Sequence, residues 1–421
     1  MTAPVRTGAD GFLARYAALR ERLPGDIAAR DTAADAFRRT GLPGRRVESW
    51  KYTDLRPIAG ATFQQPLALD GDCGELLART PQIDAPRVVF IDGRFRADLS
   101  ILPKLGSFAR FGDQPEFGDP AHAESEPLTA LNAMFVEDGA VIRVSPGLDA
   151  GLIHLISLAT NNSGVPADFH PRHIIRLAAG AKLTLVETSL GDGAYFHNPV
   201  TKVDVAAGAT LTHIRLQNES LAAFYFSTLY ARVADDGTYD SFVLNLGARM
   251  ARTEIHADLA GTAATTHLNA AQLLSGTQHS DITTIVRHDA PRGTSRQTVK
   301  NVLSGRSRGV FQGRIEVARR AQKTDGYQMN RALLLSPDAE IDTKPELEIF
   351  ADDVKCSHGA AVGELDSEQL FYLRSRGIPD AEARSILIRA FLAESLDAIA
   401  HEAVRTALEH AVAGWWERQA A

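Results

Sequence analysis

The sequence predicts a mainly β protein built around a β-solenoid, with helical segments at both ends. Glycine precedes β-type runs at Gly180, Gly208, Gly237 and Gly261, in steps of 28, 29 and 24 residues. Few helix signals interrupt this region, and helical patterns return only near the two ends of the chain. A turn that recurs at such a period is typical of coils that stack and bury one face of each strand.

The repeated runs also suggest which side chains face inward. The four runs are AAGAKLTLVE, AAGATLTHIR, DDGTYDSFVL and LAGTAATTHL. Their alternation predicts Val186, Leu216 and Leu244 as inward positions, because successive side chains of a strand point to opposite faces. A β-sandwich joined by hairpin turns would give the same strand spacing, so it stays open as the alternative.

The first predicted domain, residues 1–135, is mainly helical. GFLARYAALRERLPG carries apolar residues at helical spacing, and TAADAFRRTGLPG ends in a glycine and proline stop. PRVVFIDGRFRADLS follows as a strand and turn, with the hairpin signal Asp92-Gly93. The solenoid core is predicted to span residues 136–363.

Residues 364–421 form a predicted helical C-terminal domain. One helix in it has apolar residues on two flanks. The first flank holds Ile386, Leu387, Ala390 and Phe391, and the second holds Ile388, Leu392, Leu396 and Ile399. A small domain that covers one flank leaves the other as a docking surface. The candidate partner contacts are Ile386, Leu387, Phe391 and Leu392.

Composition narrows the class of protein. The net charge of −7 disfavours a polyanion-binding chain overall, and two cysteines cannot form a disulfide framework. The start of the chain lacks the pattern of a secretion signal, and no apolar run approaches the roughly 18 residues of a membrane helix. We therefore expect a reducing, cytoplasmic setting. The sequence contains no GxxxxGK[ST] motif, so the chain should not hydrolyse ATP itself.

The stretch DDVKCSHGA places Cys356 two positions before His358. In an extended strand both side chains leave the same face, about 7 Å apart. Zinc or an iron–sulfur cluster generally needs three or four protein ligands, so a metal site here would need ligands from another subunit. The alternative is a buried thiol beside a hydrogen-bonded histidine.

Asp352 and Asp353 raise the possibility of a β-helix polysaccharide hydrolase or lyase, which would use paired carboxylates as acid and base. Adjacent residues on a strand point to opposite faces, which disfavours this interpretation.

His170, His173, Glu187 and His197 loosely imitate a metal set of histidines and a carboxylate on a β-barrel. Their spacing is irregular, and structural or surface histidines explain the pattern equally well.

A basic stretch between residues 292 and 323 could bind a polyanion. Its nine cations are Arg292, Arg296, Lys300, Arg306, Arg308, Arg314, Arg319, Arg320 and Lys323. Phe311 is the only aromatic residue among them, which favours a solvated strand face or a contact with an acidic protein over nucleic acid.

Two stretches resemble a known family. ADDVKCSHGAAVGELDSEQLFYLRSRGI, residues 351–378, resembles the signature of the SufB/SufD family of iron–sulfur cluster assembly proteins, and is most similar to its SufD branch. VESWKYTDL, residues 47–55, resembles the N-terminal motif of that branch. The resemblance implies a right-handed parallel β-helix flanked by helical domains, and a noncatalytic scaffold subunit.

The resemblance also implies partners and site residues. Such a chain would pair with SufB through its last β-helix strands and dock the ATPase SufC on its C-terminal helices. A nascent cluster would form transiently at the SufB interface, with His358 as one ligand and Cys356 in the same motif. Met329 stands where the SufB branch carries its essential cysteine. We therefore expect that the isolated chain, including any homodimer, holds no cluster, because a thioether substitutes poorly for a thiolate.

Overall fold

The computed structural model describes residues 8–66, 73–103, 107–113, 126–160 and 165–420. Within these residues eight α-helices are present. They are α1 (Gly8–Leu19), α2 (Ile27–Thr40), α3 (Arg56–Ala59), α4 (Gly74–Ala78), α5 (Pro127–Phe135), α6 (Ser367–Ser375), α7 (Asp380–Leu396) and α8 (Glu402–Ala420).

The strands carry most of the chain between α5 and α6. In chain order they are β1 (Arg87–Ile91), β2 (Arg94–Phe95), β3 (Ser107–Arg110), β4 (Ala140–Val144), β5 (Asp149–Ala159), β6 (Ala167–Phe169), β7 (Arg172–Leu177), β8 (Lys182–Gly191), β9 (Tyr195–His197), β10 (Val200–Val205), β11 (Thr210–Asn218), β12 (Phe224–Val233), β13 (Thr238–Asn245), β14 (Met250–Leu259), β15 (Thr265–Leu274), β16 (His279–His288), β17 (Thr294–Leu303), β18 (Arg308–Val317), β19 (Asp325–Leu334), β20 (Glu340–Ile349) and β21 (Lys355–Gly363).

These strands form a parallel β-helix with two long sheets. The first sheet has the order β2-β1-β5-β8-β11-β13-β15-β17-β19-β21, and the second has β20-β18-β16-β14-β12-β10-β7-β4-β3. From β10 onward successive strands alternate between the two sheets, and all strand pairs in the described residues are parallel except β1–β2 and β3–β4. The predicted β-solenoid is confirmed. The hairpin sandwich is wrong, because hairpins would make the repeated strands antiparallel.

In seven coils the corner that leads from the second sheet to the first contains one residue in the left-handed conformation. Those residues are Gly147, Gly180, Gly208, Asp236, Ala263, Arg292 and Lys323. The N–H of each donates to a carbonyl of the next coil, as Gly208 does to Asp235 at 2.9 Å. The predicted repeat thus marks the turn residue itself at Gly180 and Gly208. At Gly261 the glycine is needed for another reason, since a Cβ there would lie 2.0 Å from the Asp235 backbone nitrogen.

The interior of the β-helix is a long apolar cluster, whereas the three residues predicted to face inward lie elsewhere. Leu185 and Val243 belong to the interior cluster. Val186, Leu216 and Leu244 are buried, but in an outer cluster with residues of α7 and α8. The predicted inward direction of these three side chains is therefore wrong. The C-terminal helices also bury the outer face of these strands, so both faces carry apolar residues. The alternation of apolar residues then does not distinguish the inward face from the outward face.

The N-terminal helices pack on the outer face of the second sheet. Their apolar cluster includes Phe12 and Phe37 together with Phe226 from β12. Trp50, in the segment between α2 and α3, stacks on Phe226 and lies 4.1 Å from the guanidinium of buried Arg252. The VESWKYTDL segment therefore fastens the N-terminal helices to the β-helix.

Candidate functional site

The β-helix ends in two strands that have a neighbour on one side only, within the part of the chain that the structure describes. β20 pairs with β18, and β21 pairs with β19. Large apolar side chains are exposed on or just after these strands. They are Ile349, Phe350 and Val362. Phe371 and Tyr372, on helix α6, are exposed as well. Unpaired strand edges beside exposed apolar residues are typical of a surface that another chain covers.

Cys356 and His358 lie on β21, the last strand of the first sheet. Cys356 is in register with Gly326 of β19, and His358 with Gln328. Gly326 and Gln328 are buried in the interior of the preceding coil, so Cys356 and His358 continue its inward face. His358 is exposed because no further coil follows it, and it stands at the open end of the β-helix. The structure thus places both residues on one face, as predicted.

The two candidate ligands have different surroundings. Cys356 is half-buried and packs against Ile315 and Ala351. This burial raises the pKa of the Cys356 thiol, so the neutral thiol is favoured until a metal or a cation displaces its proton. His358 is exposed to solvent and is the more accessible of the two candidate ligands.

Met329 lies on β19 beside this pair but on the other face. Its register partner is Gly359, and a Cβ at Gly359 would lie 2.7 Å from the Met329 methyl carbon. Side chains of neighbouring residues point to opposite faces of a strand. The Met329 thioether therefore leaves the sheet on the side opposite to His358.

Asp352 and Asp353 occupy an exposed turn just before β21. The backbone carbonyl of Asp353 accepts a hydrogen bond from the Lys323 N–H at 2.6 Å. The backbone N–H of Asp353 donates to the Gln322 side chain at 2.9 Å. Asp352 and Asp353 therefore belong to the last turn of the β-helix, between β20 and β21.

The structure does not bring His170, His173, Glu187 and His197 together as a metal group in the described residues. Each binds a different group within the chain. His170 contacts Asp168 at 3.1 Å, His173 accepts from the Ala140 N–H at 3.0 Å, Glu187 contacts His213 at 3.1 Å, and His197 contacts Glu219 at 2.7 Å. All four are buried, which agrees with a structural role for the set.

Ion pairs within the chain neutralise part of the basic stretch. Four of its nine cations make ion pairs within the chain. Those pairs are Arg296–Asp325 (2.8 Å), Lys300–Glu394 (2.9 Å), Arg308–Asp342 (2.6 Å) and Arg314–Glu316 (2.8 Å). Charges that are neutralised within the chain contribute less to polyanion binding.

The C-terminal helices leave part of α7 accessible. Ile388 and Leu392 are buried against the outer face of the β-helix, whereas Ile386, Leu387 and Phe391 are half-buried. Leu392 therefore packs within the chain and offers no free surface. A groove of about 500 Å³ runs between α7 and α8.

Lys300 of β17 ties α7 to the β-helix. Its ammonium donates to the Phe391 carbonyl at 2.6 Å and to the Glu394 carboxylate at 2.9 Å. The Lys300 side chain is almost fully buried, so these contacts compensate for the loss of its hydration. They hold the α7 flank that carries the candidate partner contacts.

One group of ligand-type side chains was missed by sequence reasoning. Glu126, Glu254 and His256 place their ligand atoms within 4.8 Å of one another. Glu254 already contacts His256 at 3.0 Å and the Arg252 guanidinium at 2.9 Å. Burial and the Glu254 carboxylate raise the pKa of Glu126 to about 7. Glu126 is far from the other two residues in sequence, so no local motif marks the group.

No helix in the described residues is long and apolar enough to span a membrane.

Comparison with known proteins gives consistent matches. Residues 158–391 match the family model described as "SUF system FeS cluster assembly, SufBD core domain". The iron–sulfur cluster assembly protein SufD of Escherichia coli is 36% identical over 87% of this chain and 88% of its own length. An iron–sulfur cluster assembly SufBD family protein of Synechocystis is 32% identical, over 88% of this chain and 86% of its own length. The chloroplastic protein ABCI7 of Arabidopsis thaliana is 30% identical, over 91% and 85%.

Proposed function

Because the chain belongs to the SufBD family of iron–sulfur cluster assembly proteins, we propose that it is a noncatalytic scaffold subunit that shares a nascent cluster with a partner subunit. The partner is SufB, which pairs with β20 and β21 in the cytoplasm. His358 provides one ligand from this chain. The partner completes the site with a thiolate, and the cluster is cargo that leaves after assembly.

The observation that carries this proposal is the position of His358. Its imidazole belongs to the inward face of the last coil, yet it is exposed because the coil has no successor. A partner strand added to the edge of β21 would cover the ring and bring its own side chains to the same face. A single imidazole binds iron weakly, and ligands from two chains supply the three or four that a cluster needs.

Cys356 and Met329 limit what a homodimer could do. Cys356 is half-buried and its thiol pKa is raised, so it makes a poor second ligand unless the interface lowers that pKa. Met329 lies on the opposite face of β19 and offers only a thioether. The asymmetry favours a sister subunit that carries a reactive cysteine.

The C-terminal helices are the proposed docking site for the ATPase SufC. Ile386 lines the groove between α7 and α8, and Leu387 and Phe391 are half-buried residues of the same helix. The buried flank of the same helix and Lys300 fix α7 to the β-helix. A pull on α7 during ATP-driven closure of two SufC subunits would therefore reach the coils that meet SufB. Energy from ATP must enter this way, since the chain has no phosphate-binding loop motif.

The ligand role is tested by replacing His358 with alanine in cells that depend on this chain. We expect cluster content of the purified assembly to fall roughly tenfold or more, because a ligand is lost while no buried packing is removed. Ser357→Ala is the matched control, since Ser357 is the exposed neighbour on the other face of β21. Size-exclusion chromatography checks that the subunit ratio is unchanged. Normal cluster assembly by His358→Ala in an intact complex would refute the proposal.

The partner assignments are tested by co-expression with SufB and SufC. We expect a stable ternary assembly whose ATP turnover exceeds that of SufC alone. Replacing Leu387 and Phe391 with serine should release SufC and leave the pairing with SufB in place. Retention of SufC by that variant would place its docking site elsewhere.

A further inference from the structure

One column of inward side chains runs through the last coils and ends at His358. Ser241, Leu268, Gln297, Gln328 and His358 are successive register partners in the first sheet. Neighbouring strands of a sheet lie about 4.8 Å apart. Gln328 is therefore the side chain directly beneath His358 on the inward face.

Gln328 is fully buried, and neither its amide oxygen nor its amide nitrogen has a hydrogen-bond partner in the described chain. Buried polar groups are nearly always hydrogen-bonded, so an amide with two unpaired atoms calls for an explanation. Gly313 of the second sheet leaves the space for this amide. A Cβ at Gly313 would lie 2.8 Å from the Gln328 oxygen.

Gln297, one coil earlier in the same column, is in a different state. It is also fully buried, but its amide oxygen accepts a hydrogen bond from the Thr284 hydroxyl at 2.5 Å. The two glutamines are equally buried, but they differ in whether the amide oxygen has a hydrogen-bond donor. The unpaired acceptor belongs to the one next to His358.

The His358 ring likewise has no hydrogen-bond partner among the described residues. A histidine that binds a metal usually donates its other ring N–H to an acceptor, which fixes both the tautomer and the ring orientation. Asp325, the acidic residue of β19, is not available for that role, because it is paired with Arg296. Gln328 is the buried acceptor that the fold places next to the ring.

We infer that Gln328 is a positioning residue for His358: neither group has a hydrogen-bond partner within the described residues, and rotation of the exposed His358 ring toward Gln328 lets the amide oxygen accept a hydrogen bond from one ring nitrogen, while the other nitrogen is directed at the open end. The importance of this hydrogen bond for cluster binding rests on the proposed function, but the hydrogen bond itself can be tested in the isolated chain. The unprotonated ring nitrogen of His358 would then be oriented in advance to bind a metal ion or cluster that the partner subunit holds. Gln328 itself touches no cluster atom.

The direct test is ¹⁵N NMR of histidine-labelled full-length chain at a fixed pH. Protonated and unprotonated ring nitrogens have well-separated shifts, and His358→Ala assigns the signal among the 13 histidines. We expect one dominant His358 tautomer in the wild type, a mixture in Gln328→Leu, and recovery of the single tautomer in Gln328→Glu, which keeps an acceptor oxygen. Gln297→Leu is the matched control and should leave the His358 signal unchanged.

The opposite results would overturn the inference. These are a tautomer mixture in the wild type, no change in Gln328→Leu, no recovery in Gln328→Glu, or an equal change in Gln297→Leu. Folding is checked by the thermal midpoint, which should be equal or higher for Gln328→Leu, since that variant removes two unpaired buried atoms. Gln328→Met provides a second apolar variant if the leucine does not fold.

Cluster assembly in the co-expressed complex gives a second readout. We expect Gln328→Leu to lower cluster content roughly tenfold and Gln328→Glu to restore most of it. If His358→Ala has no effect on cluster content, the proposed function fails, while the tautomer experiment still decides the role of Gln328. Unchanged cluster content in Gln328→Leu, alongside a loss in His358→Ala, would overturn the positioning role.

Discussion

The two ends of the β-helix differ in how they are covered. At the first end, the short strands β2 and β3 pair antiparallel with β1 and β4 and close the two sheets. At the last end, β20 and β21 continue the parallel order and stop with exposed edges. Solenoids need a cap at each end to stay soluble. The chain thus caps one end itself, and the uncapped end is the one at which we propose that SufB pairs.

The interiors of the two halves differ in the same sense. The large interior cluster begins at Val88, ends at Phe311 and consists mostly of valine, leucine and isoleucine. In the last two coils of the first sheet, Gln328, Asn330, Cys356 and His358 take the inward positions. Aliphatic packing stabilises the capped half, while the open half has polar groups and a thiol at inward positions and gains less from apolar burial.

The largest effect on stability is expected from a truncation in the capped half. Leu185 is fully buried in the interior cluster. Leu185→Ala should lower the free energy of unfolding by about 2–5 kcal/mol, because it removes buried methyl groups and leaves a cavity. Cys356→Ala, in the open half, should cost less than about 1 kcal/mol because the site is half-exposed. Urea denaturation measures the free energy of unfolding of both variants. Equal decreases in the two variants would contradict the predicted difference between the halves.

A smaller, pH-dependent effect is expected where α5 meets the second sheet. Glu126 faces Glu254, His256, Arg252 and Arg287, and its pKa in the folded chain is about 7 because of burial and the Glu254 carboxylate. The folded pKa lies above the ordinary value near 4.3. Folding therefore favours protonated Glu126, and its contribution is complete below pH 4 and is lost as the pH rises through 7.

Between pH 5 and pH 8 we expect this residue to lower the free energy of unfolding by about 1–3 kcal/mol. Glu126→Gln resembles the protonated form and should flatten the dependence. Glu346→Gln, an acid on a strand of the open end, serves as the control and should retain it. Denaturant midpoints across that pH range give the measurement, and a dependence that persists in Glu126→Gln would contradict the assignment.

The smallest effect on stability is expected at the exposed rim of the open end. Phe350 is 66% exposed and Val362 is 54% exposed, so replacing both with serine should change the free energy of unfolding by less than about 0.5 kcal/mol. The same variant should weaken capture of the sister subunit, which a pull-down with SufB measures. Unimpaired pairing would show that the partner surface does not include this rim.

Much of the fold could be predicted from the sequence because its signals are local. The turn repeat at Gly180 and Gly208 gives the coil length, and the apolar spacing of α7 gives a helix with two flanks. The pairing of Cys356 with His358 on one face follows from alternation along a single strand. Each of these inferences needs only neighbours within a few residues.

The contents of the candidate site could be predicted only in part. Gln328 is 30 residues from His358 and becomes its neighbour through the register of β19 and β21. Glu126, Glu254 and His256 meet because α5 packs on the second sheet. Neither arrangement has a local sequence signal. The coil length sets the sequence separation of Gln328 and His358, and helix packing brings Glu126 to Glu254 and His256.

The sequence by itself determined the repeating coil, the helical ends and the ligand-type pair on the last strand. Only the tertiary structure decided which face of each strand points inward, as the exchange of Leu185 and Val186 shows. The physical reason is that a one-residue shift reverses the direction of every side chain, and strands buried on both faces carry apolar residues on each. Stacking of distant coils, which no short stretch encodes, sets that direction and gives His358 its exposed place.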